Sequence, residues 1–133
     1  MEGLIHVDTH VLVWLYSGEV ERFPAEAQGH LEASRVVASP MAVLELQYLH
    51  EIKRISEPAA RVVQDLSARI GLEIDDVSFS ELVANAEQLA FTRDPFDRLI
   101  VAHATLREAT LLTADKALLK AYPRAVWTRA RRS

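Results

Sequence analysis

The segment from Asp94 to Asp115 constrains the fold of this chain more than any other. Asp94 can cap a helix, and the proline that follows it suits the first helical position. Apolar residues recur at helical spacing as far as Leu106, and a short apolar run then ends in Asp115. The segment therefore predicts a helix followed by a buried strand, with Asp97 in the first helical turn and Asp115 just past the strand.

The rest of the chain repeats this alternation of short apolar runs and helical segments. Turn and cap signals divide the chain into elements, among them Gly18, Gly71 and a Ser80 expected to cap a helix. The predicted strands are 3–7, 35–39, 72–77, the run before Asp115, and 125–127. The other predicted helices are 10–17, 24–34, 40 to about 52, 58–70, 81–91 and 116–121. Buried strands that alternate with helices predict an α/β fold with a mostly parallel sheet covered on both faces.

Length and composition indicate one domain with a substantial core. The chain has 133 residues, of which 50% are hydrophobic, and it contains no cysteine. We therefore expect a single domain over 1–133, with neither disulfides nor thiolate metal sites. No apolar run approaches the roughly 20 residues of a membrane span. The N-terminus also lacks the pattern of a secretion signal, so we expect a cytoplasmic protein without a membrane partner.

Three acids lie at boundaries between predicted elements. Asp8 follows the first strand and precedes a helix, and Asp115 stands in the same position after a later strand. Because the carboxyl ends of parallel strands meet at one edge of a sheet, these acids are expected to converge. Each also has a purely structural explanation, since Asp8 and Asp115 could cap helices and Asp97 could favour the helix dipole.

Glu45 has no such local explanation. It lies inside the predicted helix that starts at Pro40, and no Lys or Arg stands three or four residues away. Its helical face is otherwise apolar: Met41, Tyr48, Leu49 and Ile52. A carboxylate in an apolar stripe is costly unless it is paired or bound to a cation. The position predicts a distant partner, either a metal shared with other acids or a buried arginine.

Several carboxylates in one pocket repel each other, and a divalent cation removes that conflict. Oxygen ligands favour Mg²⁺ or Mn²⁺ over zinc, and such a site suits phosphodiester hydrolysis. The chain has 19 acidic residues and 15 Lys plus Arg, so setting aside four metal-binding acids leaves 15 of each sign. The remaining body is then neutral and does not repel a polyanion.

Four segments of the chain together resemble a known family. The segments Val7-Asp8-Thr9, Ser39-Pro40 with Leu44-Glu45, Asp94-Pro95-Phe96-Asp97-Arg98-Leu99-Ile100-Val101-Ala102-His103-Ala104 and Leu111-Leu112-Thr113-Ala114-Asp115 resemble the PIN-domain family. The most similar members are the VapC-like toxins of type II toxin–antitoxin pairs. The resemblance covers essentially the whole chain in order, and the Asp-Pro-Phe-Asp-Arg-Leu-Ile segment is its most specific part.

The resemblance implies a PIN-like three-layer α/β/α fold and an endoribonuclease that uses Mg²⁺ or Mn²⁺. The catalytic and metal-binding acids that match the family are Asp8, Glu45, Asp97 and Asp115, and the accessory positions are Thr9, Asp94 and Thr113. It further implies an RNA substrate, a homodimer and a VapB-like antitoxin partner. Helix capping is the main expected task of Asp94.

Basic and aromatic residues near these acids have weaker assignments. Arg93, Arg98 and Lys116 adjoin the acids in sequence and could contact phosphate, or could be surface charges. The basic tail at 129–132 could also touch phosphate. His6 and His103 are expected to be hydrogen-bonded histidines of the core or the pocket edge in preference to ligands. Trp14 and Tyr16 are assigned to the core or a dimer contact, and His10 lies close to Asp8 without implying zinc.

Two other classes of function are weighed against a nuclease. A receiver domain or a phosphatase of the haloacid dehalogenase type also places acids at strand ends, but Asp8-Thr9-His10 lacks the second acid that either would need. A catalytically idle PIN-like module that acts only through protein contacts is the stronger alternative. It would retain partner binding without metal-dependent cleavage.

Overall fold

The computed structural model describes residues 3–128, which form five strands and seven α-helices with one 3₁₀ turn at Val20–Arg22. The elements in chain order are β1 (Gly3–Val7), α1 (Thr9–Ser17), α2 (Ala25–Ala33), β2 (Ser34–Ala38), α3 (Pro40–Glu51), α4 (Ala59–Ile70), β3 (Glu73–Ile74), α5 (Phe79–Ala86), α6 (Pro95–Arg107), β4 (Thr110–Leu112), α7 (Lys116–Ala121) and β5 (Ala125–Val126). Within this part of the chain, no helix has the length and apolar character that a membrane span requires. The basic tail at 129–132 lies outside the described residues.

The five strands form one sheet in the order β3-β2-β1-β4-β5, and each pairing between them is parallel. Strand β1 lies at the centre, where Ile5 is in register with Val36 of β2 on one side and with Thr110 of β4 on the other. The prediction of an α/β fold with a parallel sheet is confirmed.

The strand order places helices on both faces of the sheet. The chain moves outward from β1 through β2 to β3, then crosses back to β4 and continues to β5. Because parallel crossovers are right-handed, the reversal places α1 to α4 on one face and α5 to α7 on the other. Within each group the helices pack together, α4 on α1 and α3, and α5 on α6, and α3 also contacts α6. These are the three expected layers.

The stop signals of two helices act as predicted. Gly18 ends α1 and Gly71 ends α4, with φ of 71° and 72° respectively. Glycine takes this left-handed conformation without the steric penalty that a Cβ brings. Pro40 and Pro95 likewise occupy the starts of α3 and α6, behind Ser39 and Asp94 as caps.

Two predicted elements differ from the structure. The helix predicted over 81–91 is α5, which starts earlier at Phe79 and ends at Ala86, and its cap is Ser78 instead of Ser80. The Ser78 hydroxyl accepts a hydrogen bond from the Glu81 N–H, which is the N-cap half of a capping box. The strand predicted over 72–77 pairs with β2 at Glu73–Ile74, and the Asp75 N–H still donates to the carbonyl of Ala38, where β2 itself ends.

Candidate metal centre

The predicted site lies where the direction of the strand order reverses. Strands β1 and β4 are neighbours, and the chain leaves β1 toward one edge of the sheet and β4 toward the other. Asp8 directly follows β1, and its backbone N–H donates to the carbonyl of Leu112 at the end of β4. Parallel α/β sheets bind their ligands at such switch points, outside the carboxyl ends of the strands.

A pocket of about 160 Å³ opens at this point. The residues that line it are Asp8, Thr9, His10, Glu45, Asp94, Asp97, Ile100 and Asp115. The structure thus brings together the four acids predicted from the sequence, along with two of the three accessory positions. These side chains come from the strand ends and from the first turns of α1 and α6, with Glu45 supplied by the middle of α3.

Asp8 is the most deeply buried of the four acids, with 6% of its surface exposed. One carboxylate oxygen accepts from the Val11 N–H at 3.0 Å, so Asp8 caps α1 as expected for its position. The other accepts from the Thr113 hydroxyl. Burial raises the pKa of Asp8, and these two hydrogen bonds oppose the rise. Asp8 therefore serves as a helix cap and also lines the pocket.

Glu45 is half-buried, and its partner is a hydroxyl from another helix. The Thr9 Oγ1 donates to the Glu45 Oε1 at 2.5 Å. Burial raises the pKa of Glu45, and the nearby charges of Asp94 and Asp8 add to the rise. The apolar stripe around it faces solvent in part, since Tyr48 and Ile52 are 47% and 44% exposed. The charged form of Glu45 is therefore disfavoured first by burial and then by the neighbouring carboxylates, and the Thr9 hydrogen bond opposes both effects.

The surroundings of Asp97 in the pocket raise its pKa. Burial raises its pKa to about 7, and the charges of Asp94, Glu45, Asp115 and Asp8 contribute in that order. Asp94 caps α6 through hydrogen bonds from the N–H groups of Phe96, at 2.8 Å, and Asp97, at 3.3 Å. Capping, the expected task of Asp94, is thus observed, and its charge also contributes to the field of the pocket.

Asp115 lies at the exposed rim of the pocket. Its Oδ1 accepts from the N–H groups of Ala117 and Leu118, so it caps α7. Its own N–H donates to the Thr113 Oγ1 at 3.0 Å. Thr113 is fully buried and does not line the pocket itself, but its hydroxyl joins Asp8 to the backbone of Asp115.

The basic residues predicted near the acids occupy other places. Arg98 donates to the backbone carbonyls of Ala86 and Glu87, which ties α6 to the end of α5. Arg93 donates to the carbonyl of Ala90. Neither arginine lines the acidic pocket. Lys116 is exposed and directly follows Asp115 at the rim.

Ile100 lines the pocket although it was not among the predicted site residues, whereas His10 was expected near Asp8. His10 is exposed in the first turn of α1, and its charge opposes the rise in the pKa of both Asp8 and Glu45. Ile100 supplies apolar surface one turn after Asp97. Helical spacing from Asp97 could have identified Ile100.

The donor set fits a hard divalent cation. Carboxylate oxygens are the ligands that Mg²⁺ and Mn²⁺ prefer. A pKa of about 7 at Asp97 means that the four acids resist full ionisation together without a compensating charge. A bound cation would remove that penalty.

The fold and the pocket define a class, namely α/β proteins with a carboxylate centre at the switch point of a parallel sheet. A sequence profile described as the PIN domain matches residues 5–124. The chain therefore belongs to the PIN domain family, as its sequence motifs predicted. Among curated proteins, none matches the chain.

Solved structures share the fold at low sequence identity. VapBC2 from Rickettsia felis bound to a DNA fragment from its promoter has a TM-score of 0.65 and 22% identity, covering 94% of this chain and 99% of that one. A toxin–antitoxin complex from Klebsiella pneumoniae has a TM-score of 0.63 and 22% identity, covering 94% and 96%. DNA-bound VapBC from Salmonella typhimurium has a TM-score of 0.62 and 19% identity, covering 94% and 96%.

Proposed function

We propose that this protein is a metal-dependent endoribonuclease and the toxin of a toxin–antitoxin pair, acting in the cytoplasm. The observation that carries the proposal is the convergence of Asp8, Glu45, Asp97 and Asp115 on one pocket at the switch point of the sheet. No single structural role explains why all four carboxylates lie in this pocket. Capping accounts for Asp8 and Asp115, and the helix dipole favours Asp97, but neither effect explains Glu45 or the raised pKa of Asp97.

In this proposal Asp8, Glu45 and Asp97 would hold the principal Mg²⁺ or Mn²⁺, and Asp115 would bind through water or hold a second ion. When bound, the cation would supply activation of water for attack on phosphorus and stabilisation of the negative charge that builds up on phosphate. Thr113 and Thr9 hold the carboxylates of Asp8 and Glu45 in one orientation. Of the three basic residues that were predicted to lie near the acids, Lys116 at the rim is the best placed to contact phosphate.

The toxin role and the RNA substrate rest on the resemblance to VapC-like proteins. The structure from Klebsiella pneumoniae is a toxin–antitoxin complex, and the one from Rickettsia felis is VapBC2. A chain with the same fold over nearly its whole length is suited to the same kind of assembly. We infer a VapB-like antitoxin as the protein partner and RNA as the substrate.

A homodimer is supported by an apolar stripe on α3. Leu44, Tyr48 and Ile52 follow at intervals of four residues and are 54%, 47% and 44% exposed. The ring of Phe96 lies 5.8 Å from that of Tyr48 and extends the stripe toward the start of α6. Exposed apolar surface of this kind commonly marks a protein interface. A second copy of the chain is the proposed occupant.

Cleavage of a mixed RNA pool by purified, antitoxin-free protein tests the proposal. We expect cleavage with Mg²⁺ or Mn²⁺, none with EDTA, and a loss of at least about 100-fold in Asp97→Asn, since a metal ligand matters more than the outer-shell groups whose loss costs roughly 10–100-fold. Asp65→Asn is the matched control, because Asp65 pairs with Arg69 on the surface of α4 and should leave cleavage unchanged.

The possible outcomes separate the alternatives. Cleavage that needs metal and disappears only in Asp97→Asn supports the nuclease. A folded wild-type chain that binds antitoxin but cleaves no RNA with either metal would support the idle binding module. Equal cleavage by wild type and Asp97→Asn would point to a contaminating nuclease and would contradict the proposed site.

A further inference from the structure

A second polar cluster lies between the sheet and α6, outside the acidic pocket. His6 on β1 and His103 on α6 are each 1% exposed, and Asp75 follows β3 at the edge of the sheet. The Asp75 Oδ2 lies 2.9 Å from the His103 Nε2 and 3.7 Å from the His6 Nε2. The two imidazole rings are 4.9 Å apart. None of these three residues lines the acidic pocket.

His6 lacks the hydrogen bonds that a buried imidazole normally makes. Among residues 3–128, neither ring nitrogen of His6 has a hydrogen-bond partner, and the same holds for the Nδ1 of His103. Buried polar groups without partners are costly and uncommon in folded proteins. The Nε2 of His6 faces the carboxylate that His103 already contacts, at a distance too long for a hydrogen bond. The cluster therefore has an unused nitrogen ligand directed into it.

We propose that His6, His103 and Asp75 form a second metal site, selective for a divalent transition cation such as Zn²⁺ or Co²⁺. Two imidazole nitrogens and one carboxylate are a ligand set that these ions accept and that Mg²⁺ does not favour. Neighbouring ligand atoms in a tetrahedral zinc site are about 3.3 Å apart, given bonds of about 2.0–2.1 Å. The observed separations of 2.9 and 3.7 Å lie on either side of that value, and the three ligand atoms are all within 4.8 Å of one another.

Arg107 controls access to this site. Its Nε and Nη2 donate to the two oxygens of Asp75 at 2.6 and 2.9 Å, and Nη2 also donates to the carbonyl of Asp76. The arginine side chain is 40% exposed and Asp75 is 18% exposed, so the cluster opens to solvent on this side. A cation that binds Asp75 must compete with the guanidinium. The arginine thus occupies the site in the metal-free chain and lowers its affinity.

The site would connect three separate parts of the fold. Its ligands come from the central strand, from the segment after β3 and from α6. Asp97 lies six residues before His103 on α6, about 9 Å along the helix axis. A cation here would therefore stabilise the helix that carries one acid of the other centre without sharing a ligand with it.

Binding of Zn²⁺ and Co²⁺ is measured in an Asp97→Asn/Asp115→Asn background, which weakens the acidic pocket. We expect one ion per chain, and bound Co²⁺ should show the strong visible absorption of a four-coordinate ion. His103→Gln should weaken binding by more than about 100-fold, since losing an outer-shell group alone costs roughly 10–100-fold. Arg107→Gln should strengthen it. The matched control is His10→Gln, which alters the acidic pocket and should leave this binding unchanged.

Imidazole ¹⁵N NMR of the wild-type chain provides a second readout that does not depend on the folding of a variant. On addition of Zn²⁺ in excess Mg²⁺, the Nε2 signals of His6 and His103 should shift together. Shifts confined to His10, binding that His10→Gln abolishes, or equal affinity in His103→Gln and its background would each overturn the proposal. Weaker binding in Arg107→Gln would also contradict it, because it would show that the cluster is held together only by the arginine.

Discussion

The hydroxyl of Thr113 donates a hydrogen bond to the buried carboxylate of Asp8, although the two residues are 105 positions apart in the chain. They meet because β1 and β4 are neighbouring parallel strands whose carboxyl ends lie side by side. The same hydroxyl accepts from the Asp115 N–H. A residue that does not line the pocket thus orients one of its acids and positions the backbone of another.

Thr113→Val should impair both stability and activity. The substitution keeps the shape of the side chain but leaves the buried Asp8 carboxylate without one of its two hydrogen bonds. We expect the free energy of unfolding to fall by about 1–3 kcal/mol, and metal affinity to fall by roughly 10–100-fold. Denaturant unfolding and Mn²⁺ titration measure the two effects. Thr110→Val on the same strand is the control, and an equal loss there would show a general effect of the strand.

Thr9→Val tests the link between α1 and Glu45. Without the Thr9 hydroxyl, Glu45 keeps its unfavourable burial and its like-charged neighbours but loses the hydrogen bond that favours its charged form. We expect metal-dependent cleavage to fall by roughly 10–100-fold, as for other outer-shell groups. Thr9→Ser retains a hydroxyl and should recover most of the activity. If Thr9→Ser were as impaired as Thr9→Val, packing of the methyl group and not the hydrogen bond would be responsible.

Asp97 should contribute less to the stability of the metal-free protein as the pH rises from about 4 to about 7. Asp97 has a folded-state pKa of about 7 against an ordinary value of 3.8, so the folded chain keeps a proton that the unfolded chain releases in this range. Thermal unfolding across pH, with EDTA, measures the slope. Buried His6, whose pKa is lowered to about 4, acts in the opposite direction, so the Asp97 contribution is the difference in slope between wild type and Asp97→Asn. Added Mn²⁺ should reverse the loss at neutral pH. An unchanged slope in Asp97→Asn would contradict the placement of this charge.

Arg98→Met should act mainly on stability. Two nitrogens of the Arg98 guanidinium are bound to the carbonyls of Ala86 and Glu87, at the point where α5 ends. Losing these hydrogen bonds should lower the free energy of unfolding by about 1–3 kcal/mol, with Arg98→Lys only slightly better because it lacks the planar fork. RNA affinity against salt concentration is the second measurement. A flatter salt dependence in Arg98→Met would instead show that Arg98 contacts phosphate.

Much of the architecture could be predicted from local signals. Pro40, Pro95, Gly18 and Gly71 mark helix ends through effects that act within one turn, and the structure places those ends accordingly. The length of α5 could not be predicted this way. It ends at Ala86, and the carbonyl there is bound by Arg98, a contact between two helices that no local pattern contains.

By itself, the sequence determined the parallel α/β fold, the strand-end positions of Asp8 and Asp115, and the four acids as a set. Periodicity and cap signals act over a few neighbouring residues, and motif spacing depends only on the order of residues along the chain. Only the tertiary structure decided which groups touch. It paired Thr113 with Asp8 and Thr9 with Glu45, and it brought His6 and His103, both expected in the core, to Asp75. These contacts depend on strand order and on the crossing of helices over the sheet. Such relations join residues far apart in the chain, and they arise from the packing of whole elements.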